Sequence, residues 1–421
     1  MPMMIALYGL LPTLQLALFL QGRLAFDLAE ALNYGASIFA FHWLTLNVAL
    51  SAKVPLLQRL LPYDRRIRYH VFTSLGIALF LAYHAAYKFA LGKSINPVSW
   101  ALLAIVGLML SLATLWIPVP GLASARAWLL GRIKRKEGLS YDKSKSVHGL
   151  FALSLGLLIL VHVADAGLFD DAPPVSAALY LALYAFSFGS YLVARTGLFN
   201  LGATVVSVEA RGGILTIRVK PDRAHRYRSG QFAFLRVQAP AFAKEEHPFS
   251  YLSTPREREV GFAVRASGDF TSKLAALKGG DRVRLNGGFG DFRPGKERAL
   301  CFVASGIGTV PFISILKDLH ASGDTRPLNF FLAVTYEEEI PEREHLKEIA
   351  ASMPNLRLRV LVFSVDGIKY SADYFRSELP DPTALSYYLC SSPGVRDVVL
   401  NSLETLGVKK SAIRYEAFNL G

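Results

Sequence analysis

Four histidines carry the first chemical signal. His70 and His84 lie fourteen residues apart in one apolar stretch, and His148 and His162 repeat that spacing in another. At about 100° per residue, fourteen steps fall about 40° short of four helical turns, so both histidines of a stretch face the same way. At about 1.5 Å rise they stand about 21 Å apart, most of the way across a hydrocarbon core of about 30 Å. Two such helices side by side offer two histidine pairs at two depths, the geometry that two stacked bis-histidine haems require. A lone helical histidine is ordinarily a satisfied polar residue, but inside a membrane an ionisable group is costly and is kept for a function. His42 has no partner at a matching spacing and reads as packed or hydrogen-bonded. Lys88, one turn beyond His84, either snorkels to the surface or neutralises a haem propionate.

The elements that must hold these histidines are apolar segments at about 4–20, 35–51, 69–91, 99–117, 147–165 and 175–194, each near the length needed to span a bilayer. The chain has 421 residues, 52% of them hydrophobic, and a mean hydropathy of +0.32. Its net charge is +13. Much of that excess flanks the apolar segments, so membrane lipid rather than nucleic acid is the expected partner. Lys53, Arg59, Arg65, Arg66 and Arg68 follow the second segment. Arg126, Arg132, Lys134, Arg135, Lys136, Lys143 and Lys145 follow the fourth, and Arg195 the sixth. The intervening loops are poor in Lys and Arg, which places the basic loops and the soluble half on the cytoplasmic side of a plasma (inner) membrane protein that crosses several times. Met4–Leu20 has no basic leader and reads as a membrane helix rather than a cleaved signal. In that topology His70 pairs with His148 near the cytoplasmic face, and His84 with His162 near the outer face. The only cysteines, Cys301 and Cys390, are far apart and suit a reducing compartment.

From about 200 the rhythm changes. Ala203–Val208, Ile214–Val219, Phe232–Val237 and Val260–Val264 alternate or are β-branched, with turn residues between them, and read as an antiparallel barrel. From about 297 strands alternate with helices: Ala299–Ala304 then 311–321, Leu328–Val334 then 342–351, Leu356–Phe363, and Leu385–Cys390 then 394–406. That is a parallel sheet with covering helices.

Further motifs sit on these elements. His247-Pro248-Phe249-Ser250 enters a strand, where a serine can hydrogen-bond a flavin ring or simply begin the strand. Arg265, Gly268 and Thr271 open a short helix, an anion site or an ordinary cap. Ser305-Gly306-Ile307-Gly308-Thr309-Val310-Pro311 lies between a buried strand and its helix, where glycines let backbone approach a phosphate. Pro311 stands where a third glycine would complete G-x-G-x-x-G. Cys390-Ser391-Ser392-Pro393 ends a later strand at the same edge.

Together these residues give the chain a resemblance to the NADPH oxidase and ferric reductase superfamily, most closely to prokaryotic NADPH oxidases, over about 35 to 418. The doubled His-x13-His, His247-Pro248-Phe249-Ser250, Ser267-Gly268-Asp269-Phe270-Thr271, Gly306-Ile307-Gly308-Thr309-Val310-Pro311-Phe312 and Tyr415-Glu416-Ala417-Phe418 carry it. The resemblance implies a multi-domain chain. A six-helix transmembrane di-haem domain (1–197) would be followed by an FAD-binding β-barrel (198–296) and an NAD(P)H-binding α/β domain (297–421), the last two similar to ferredoxin-NADP reductase. It implies FAD and two b-type haems as cofactors, with NADPH or NADH as donor. By it, His247, Pro248, Phe249 and Ser250 bind FAD, with Arg265, Gly268 and Thr271 around its phosphates. Gly306, Gly308, Thr309, Pro311 and Pro393 line the nucleotide site. Phe418, stacked on the isoalloxazine, and Cys390 are the catalytic candidates. His70, His84, His148 and His162 are the iron ligands.

The usual Cys-Gly-Pro of the family reads Cys390-Ser391-Ser392-Pro393 here. Thr335-Tyr336-Glu337-Glu338-Glu339 stands where many NADPH users carry an arginine, which predicts a preference for NADH or weak discrimination. The implied activity is a transmembrane NAD(P)H oxidase that passes electrons through FAD and both haems to oxygen outside and yields superoxide. Alternatives are a ferric-chelate reductase or a membrane donor to a periplasmic redox partner. A histidine-lined proton channel would leave the flavin and nucleotide motifs without a purpose. No obligatory protein partner, calcium-binding loop or proline-rich docking tail is expected.

Overall fold

The computed structural model describes residues 2–21, 27–92, 95–116, 128, 141–166, 173–242, 245–366 and 370–416. Two compact units make up the chain, Met1–Leu198 and Phe199–Gly421.

The first unit is helical. α1 (Pro2–Ile5) runs through a π turn at Ala6–Leu10 into α2 (Leu11–Leu20). α3 (Leu28–Ser51), α4 (Pro55–Leu60), α5 (Tyr63–Ala90), α6 (Pro97–Trp116), α7 (Tyr141–Asp165) and α8 (Pro174–Arg195) follow. Each of the six apolar segments is therefore helical. Four helices are long and apolar enough to cross a membrane, at Met3–Leu20, Arg65–Ala90, Lys143–Asp165 and Pro174–Arg195, and Pro97–Ala113 is a shorter apolar helix. α3 is the buried one: Ile38, Phe41, Leu44, Leu46 and Leu50 all face protein. Phe72, Leu79 and Leu157 on α5 and α7 are about 70% exposed, as lipid-facing side chains would be.

Helix ends differ from the expected loops in one respect. Arg65, Arg66 and Arg68 lie in the first turns of α5, and Lys143 and Lys145 in the first turns of α7. Arginine and lysine are good helix formers, so apolar content alone underestimates the helix. Arg66 is buried, and its guanidinium donates to the Leu50 and Ala52 carbonyls at the end of α3, where a cation suits the helix terminus. Arg126, Arg132, Lys134, Arg135 and Lys136 lie outside the described residues.

Two glycines set helix spacing. A Cβ on Gly76 of α5 would overlap the Trp43 ring of α3, and one on Gly156 of α7 would overlap the Phe188 ring of α8. Small residues there let the helices close on a large ring.

The second unit holds two sheets. The first is antiparallel, in order β4-β3-β6-β1-β2-β5, from β1 (Leu201–Arg211), β2 (Ile214–Pro221), β3 (Phe232–Val237), β4 (His247–Ser250), β5 (Val260–Arg265) and β6 (Arg282–Phe289). It curls until its two edges meet at one bridge, Tyr251 with Phe262. Inward side chains such as Val205, Ile217, Leu235, Phe262 and Leu285 fill it. α9 (Asp269–Lys273) follows β5.

The second sheet is parallel, in order β11-β10-β7-β8-β9. Its strands are β7 (Leu300–Ser305), β8 (Leu328–Val334), β9 (Leu356–Val362), β10 (Ser386–Cys390) and β11 (Ile413–Glu416). α10 (Val310–Ala321), α11 (Arg343–Ser352), α12 (Phe363–Asp366), α13 (Ala372–Glu378) and α14 (Pro393–Thr405) accompany them. Alternate residues of β7 feed two separate cores, Phe302 on one face and Cys301 and Val303 on the other. Burial on both faces explains why β7 reads as an unbroken apolar run.

Candidate functional site

In the helical unit α5 and α7 bring their histidines face to face. The His70 and His148 ring centroids are 6.3 Å apart with planes at 69°, and those of His84 and His162 are 6.4 Å apart at 87°. The pairing is the one that the spacing and topology predict. Separations of this size leave room for one metal ion between two imidazoles, with metal–nitrogen bonds of about 2 Å. Among the described residues no group of three or more His, Cys, Asp or Glu side chains could hold a metal ion.

The Nδ1 atoms of three of the four histidines have partners. His70 Nδ1 lies 3.1 Å from the Asn47 carbonyl oxygen, His84 Nδ1 2.9 Å from Asn33 Oδ1, and His162 Nδ1 3.1 Å from Ser99 Oγ. Such contacts hold the proton on Nδ1 and leave the Nε2 lone pair for a metal. His42 behaves differently. Its Nδ1 bonds the Ile38 carbonyl, and its ring packs on Phe41 and Tyr180, so it is held within the α3–α8 contact and has no histidine opposite.

The flavin candidates cluster on the antiparallel sheet. β4 is its edge strand, paired with β3 so that His247 faces Leu235 and Ser250 faces Phe232. Pro248 suits an edge because it has no N–H to donate. The His247 ring stacks on Phe270 at 3.9 Å, and the Phe249 ring lies nearly parallel to Phe270 at 6.4 Å. Ser250 is buried, and among the described residues its hydroxyl has no hydrogen-bond partner. Such an orphan is rare, and a ligand that bonds it would satisfy it. At the end of β5, Arg265 forks onto the Glu339 carboxylate at 3.2 and 3.0 Å. The Thr271 hydroxyl accepts the N–H groups of Gly268 and Ser267.

The nucleotide candidates meet at one place on the parallel sheet. The chain lays down β7, β8 and β9 outward on one side and then returns to add β10 and β11 on the other. The switch point therefore falls between β7 and β10, where open α/β sheets bind ligands at the carboxyl ends of their strands. Gly306-Ile307-Gly308-Thr309 turns out of β7 there, and Ser391-Ser392-Pro393 turns out of β10. Gly306 has φ +53°, a left-handed conformation that favours glycine. A Cβ on Gly308 would overlap the Cys390 carbonyl, so only glycine lets the two turns touch. The Thr309 hydroxyl donates to the Gly306 carbonyl at 2.7 Å, Pro311 occupies the first turn of α10, and the Ser392 N–H points to Ser305 Oγ at 3.3 Å.

Cys390 is fully buried, and burial pushes its thiol well above the ordinary range, so it is a neutral S–H packed in the core. Phe418 lies outside the described residues. Glu416, at the end of β11, approaches Gly290 and with it Phe232 of the flavin sheet, so the chain's last strand runs towards the flavin candidates.

An FAD-binding domain model matches residues 201–279. The chain is 28% identical over 193 residues to the toluate 1,2-dioxygenase electron transfer component of Pseudomonas putida, covering 44% of this chain and 57% of that protein. It is 30% identical over 172 residues to respiratory burst oxidase homolog protein F of Arabidopsis thaliana, covering 34% and 18%. It is 30% identical over 200 residues to a superoxide-generating NADPH oxidase heavy chain of Dictyostelium discoideum, covering 41% and 36%. These similarities lie with flavin-dependent reductases and NADPH oxidases, each matched over only part of its length. The chain spans between about a fifth and three fifths of the length of these relatives.

The acidic run after β8 is more divided than its sequence implies. Glu339 turns inward to Arg265 and the Thr335 N–H, Glu337 is half-exposed and held by Arg343, and Glu338 is the most exposed of the three. Sequence reasoning also missed Asn33, Asn47 and Ser99, and the cluster beside β4. There the Tyr251 hydroxyl meets His225 Nε2 at 2.6 Å and its ring stacks on Tyr227 at 3.9 Å. Burial lowers His225 to a pKa of about 4, so it is a neutral acceptor for that hydroxyl. No local motif marks these residues, because each acts through a neighbour distant in the chain.

Proposed function

We propose that this protein is a membrane flavocytochrome that draws electrons from NAD(P)H and delivers them across the bilayer to oxygen, yielding superoxide. The observation that carries this reading is the opposition of His70 to His148 and of His84 to His162, on helices apolar enough to span. The first pair would hold one b-type haem near the cytoplasmic face and the second another near the outer face, in a plasma (inner) membrane. About 21 Å along α5 separates them. The curled sheet would hold FAD, with Ser250 supplying a hydrogen bond and His247, Pro248 and Phe249 an edge against the ring. The switch point would hold the nucleotide, with Gly306, Gly308, Thr309, Pro311 and Pro393 around its phosphates and ribose. Arg265 would bridge the two sites once released from Glu339, and Gly268 and Thr271 would set the turn beside it. A flavin held there would supply the exchange between a two-electron nicotinamide donor and one-electron haem acceptors. His84 and His162 would hold the outer haem, which would supply single electrons to oxygen outside. Cys390 would support the nucleotide turn from the core, its carbonyl lying against Gly308, and Phe418 would cover the flavin until nicotinamide displaces it.

Superoxide dismutase tests the acceptor. Full-length protein in detergent, loaded with FAD and haem, should reduce cytochrome c with NADH or NADPH, and dismutase should abolish that rate. A haem-dependent rate that ignores dismutase would instead favour direct delivery to a protein or a ferric chelate. The relative named as an electron transfer component supports that second reading.

A further inference from the structure

The hydrogen bonds behind the histidines follow a rule of their own. On α3, Asn33 and Asn47 lie fourteen residues apart, the same interval as His70 and His84 on α5. The two helices pack side by side in opposite directions, so Asn47 meets His70 and Asn33 meets His84. The contacts are not equivalent. His70 is held by the Asn47 backbone carbonyl, which any residue would present. The Asn47 side chain is used elsewhere, accepting from Tyr8 Oη at 3.0 Å and donating to the His70 carbonyl at 3.2 Å. His84 is held by the side-chain oxygen of Asn33, a residue 2% exposed, and its partner His162 by the side chain of Ser99.

We propose that Asn33 is the positioning residue that fixes the Nδ1–H tautomer of His84 and, through the strength of that hydrogen bond, sets the reduction potential of the outer haem independently of the inner one. The inference rests on the haem reading above. A metal bound at Nε2 requires the proton on Nδ1, and a proton shared towards an acceptor makes the imidazole a stronger donor. A stronger donor stabilises ferric over ferrous iron and lowers the potential, and second-shell hydrogen bonding is one of the protein's levers on haem. A low-potential outer haem is the better reductant for oxygen. On this account both histidines of the outer pair are held by side chains, whereas His70 of the inner pair rests on backbone.

The test is an optical redox titration of full-length protein after haem has been counted. Wild type should hold two haems and titrate in two waves, with His162→Ala removing the outer wave and so assigning it. Fewer than two haems in wild type would sink the haem reading itself. With two haems present, Asn33→Leu should raise the outer wave and leave the inner one in place. Asn33→Asp, titrated at a pH where the carboxylate is ionised, should lower it. Opposite shifts cannot come from general loosening, which would move both variants and both waves the same way. If Asn33→Leu fails to retain two haems, Asn33→Asp decides. An outer wave that stays at the wild-type potential, or that moves together with the inner one, overturns the proposal.

Discussion

At the scale of single residues, Ser250 is the most informative. Among the described residues its buried hydroxyl has no partner, an unsatisfied group that costs stability. Ser250→Ala removes the cost and removes the bond offered to a ligand. The expected result is a split: the thermal midpoint of flavin-free protein stays level or rises, while FAD binds about two- to tenfold more weakly, the loss of a hydrogen bond of about 0.5–1.5 kcal/mol. Calorimetry and a flavin fluorescence titration read the two halves. A falling midpoint with unchanged affinity would make Ser250 structural.

At the scale of elements, two contacts organise the nucleotide side. The turn out of β7 touches the turn out of β10 only because Gly308 lacks a Cβ. Gly308→Ala must push the Cys390 carbonyl away, an overpacking cost of about 1–3 kcal/mol. NAD(P)H affinity should collapse while bound flavin remains; equal affinity in the variant, measured by flavin reduction against nucleotide concentration, would move the site elsewhere. The second contact is the turn after β8. With Glu339 committed to Arg265 and Glu337 to Arg343, Glu338 is the exposed carboxylate beside the β8 end. A carboxylate favours a ribose hydroxyl and repels a 2′-phosphate. The ratio of kcat/KM for the two coenzymes should favour NADH or lie near unity, and a tenfold advantage for NADPH would contradict this.

At the scale of the whole molecule, the reading is one of separable stations. His84→Ala or His162→Ala should halve the haem content and abolish superoxide formation. Ferricyanide reduction by NAD(P)H needs only the flavin and nucleotide sites and should persist. Full superoxide output from a variant verified to lack the outer haem would refute the proposed route. An intact flavin reductase beside a dead oxidase is the signature expected if Met1–Leu198 carries electrons and Phe199–Gly421 supplies them.

The sequence by itself determined a good deal of this. Fourteen-residue intervals fix which histidines share a helix face, because the pitch of a helix is a local property. The runs Phe232–Val237 and Leu328–Val334 are strands as read, since alternation and double-sided burial leave their mark in composition. Weakly patterned or short elements escaped: β6 carries Asn286-Gly287-Gly288, and β11 is only four residues. Helix starts escaped too, because Arg65 and Lys143 continue helices that apolarity alone would end. Tertiary structure alone decided the partners. That His84 leans on Asn33, fifty-one residues away, that Arg265 holds Glu339, and that Gly308 lies against Cys390 are consequences of packing between distant segments. A residue's type states what it can bond; only the fold states which group is within reach.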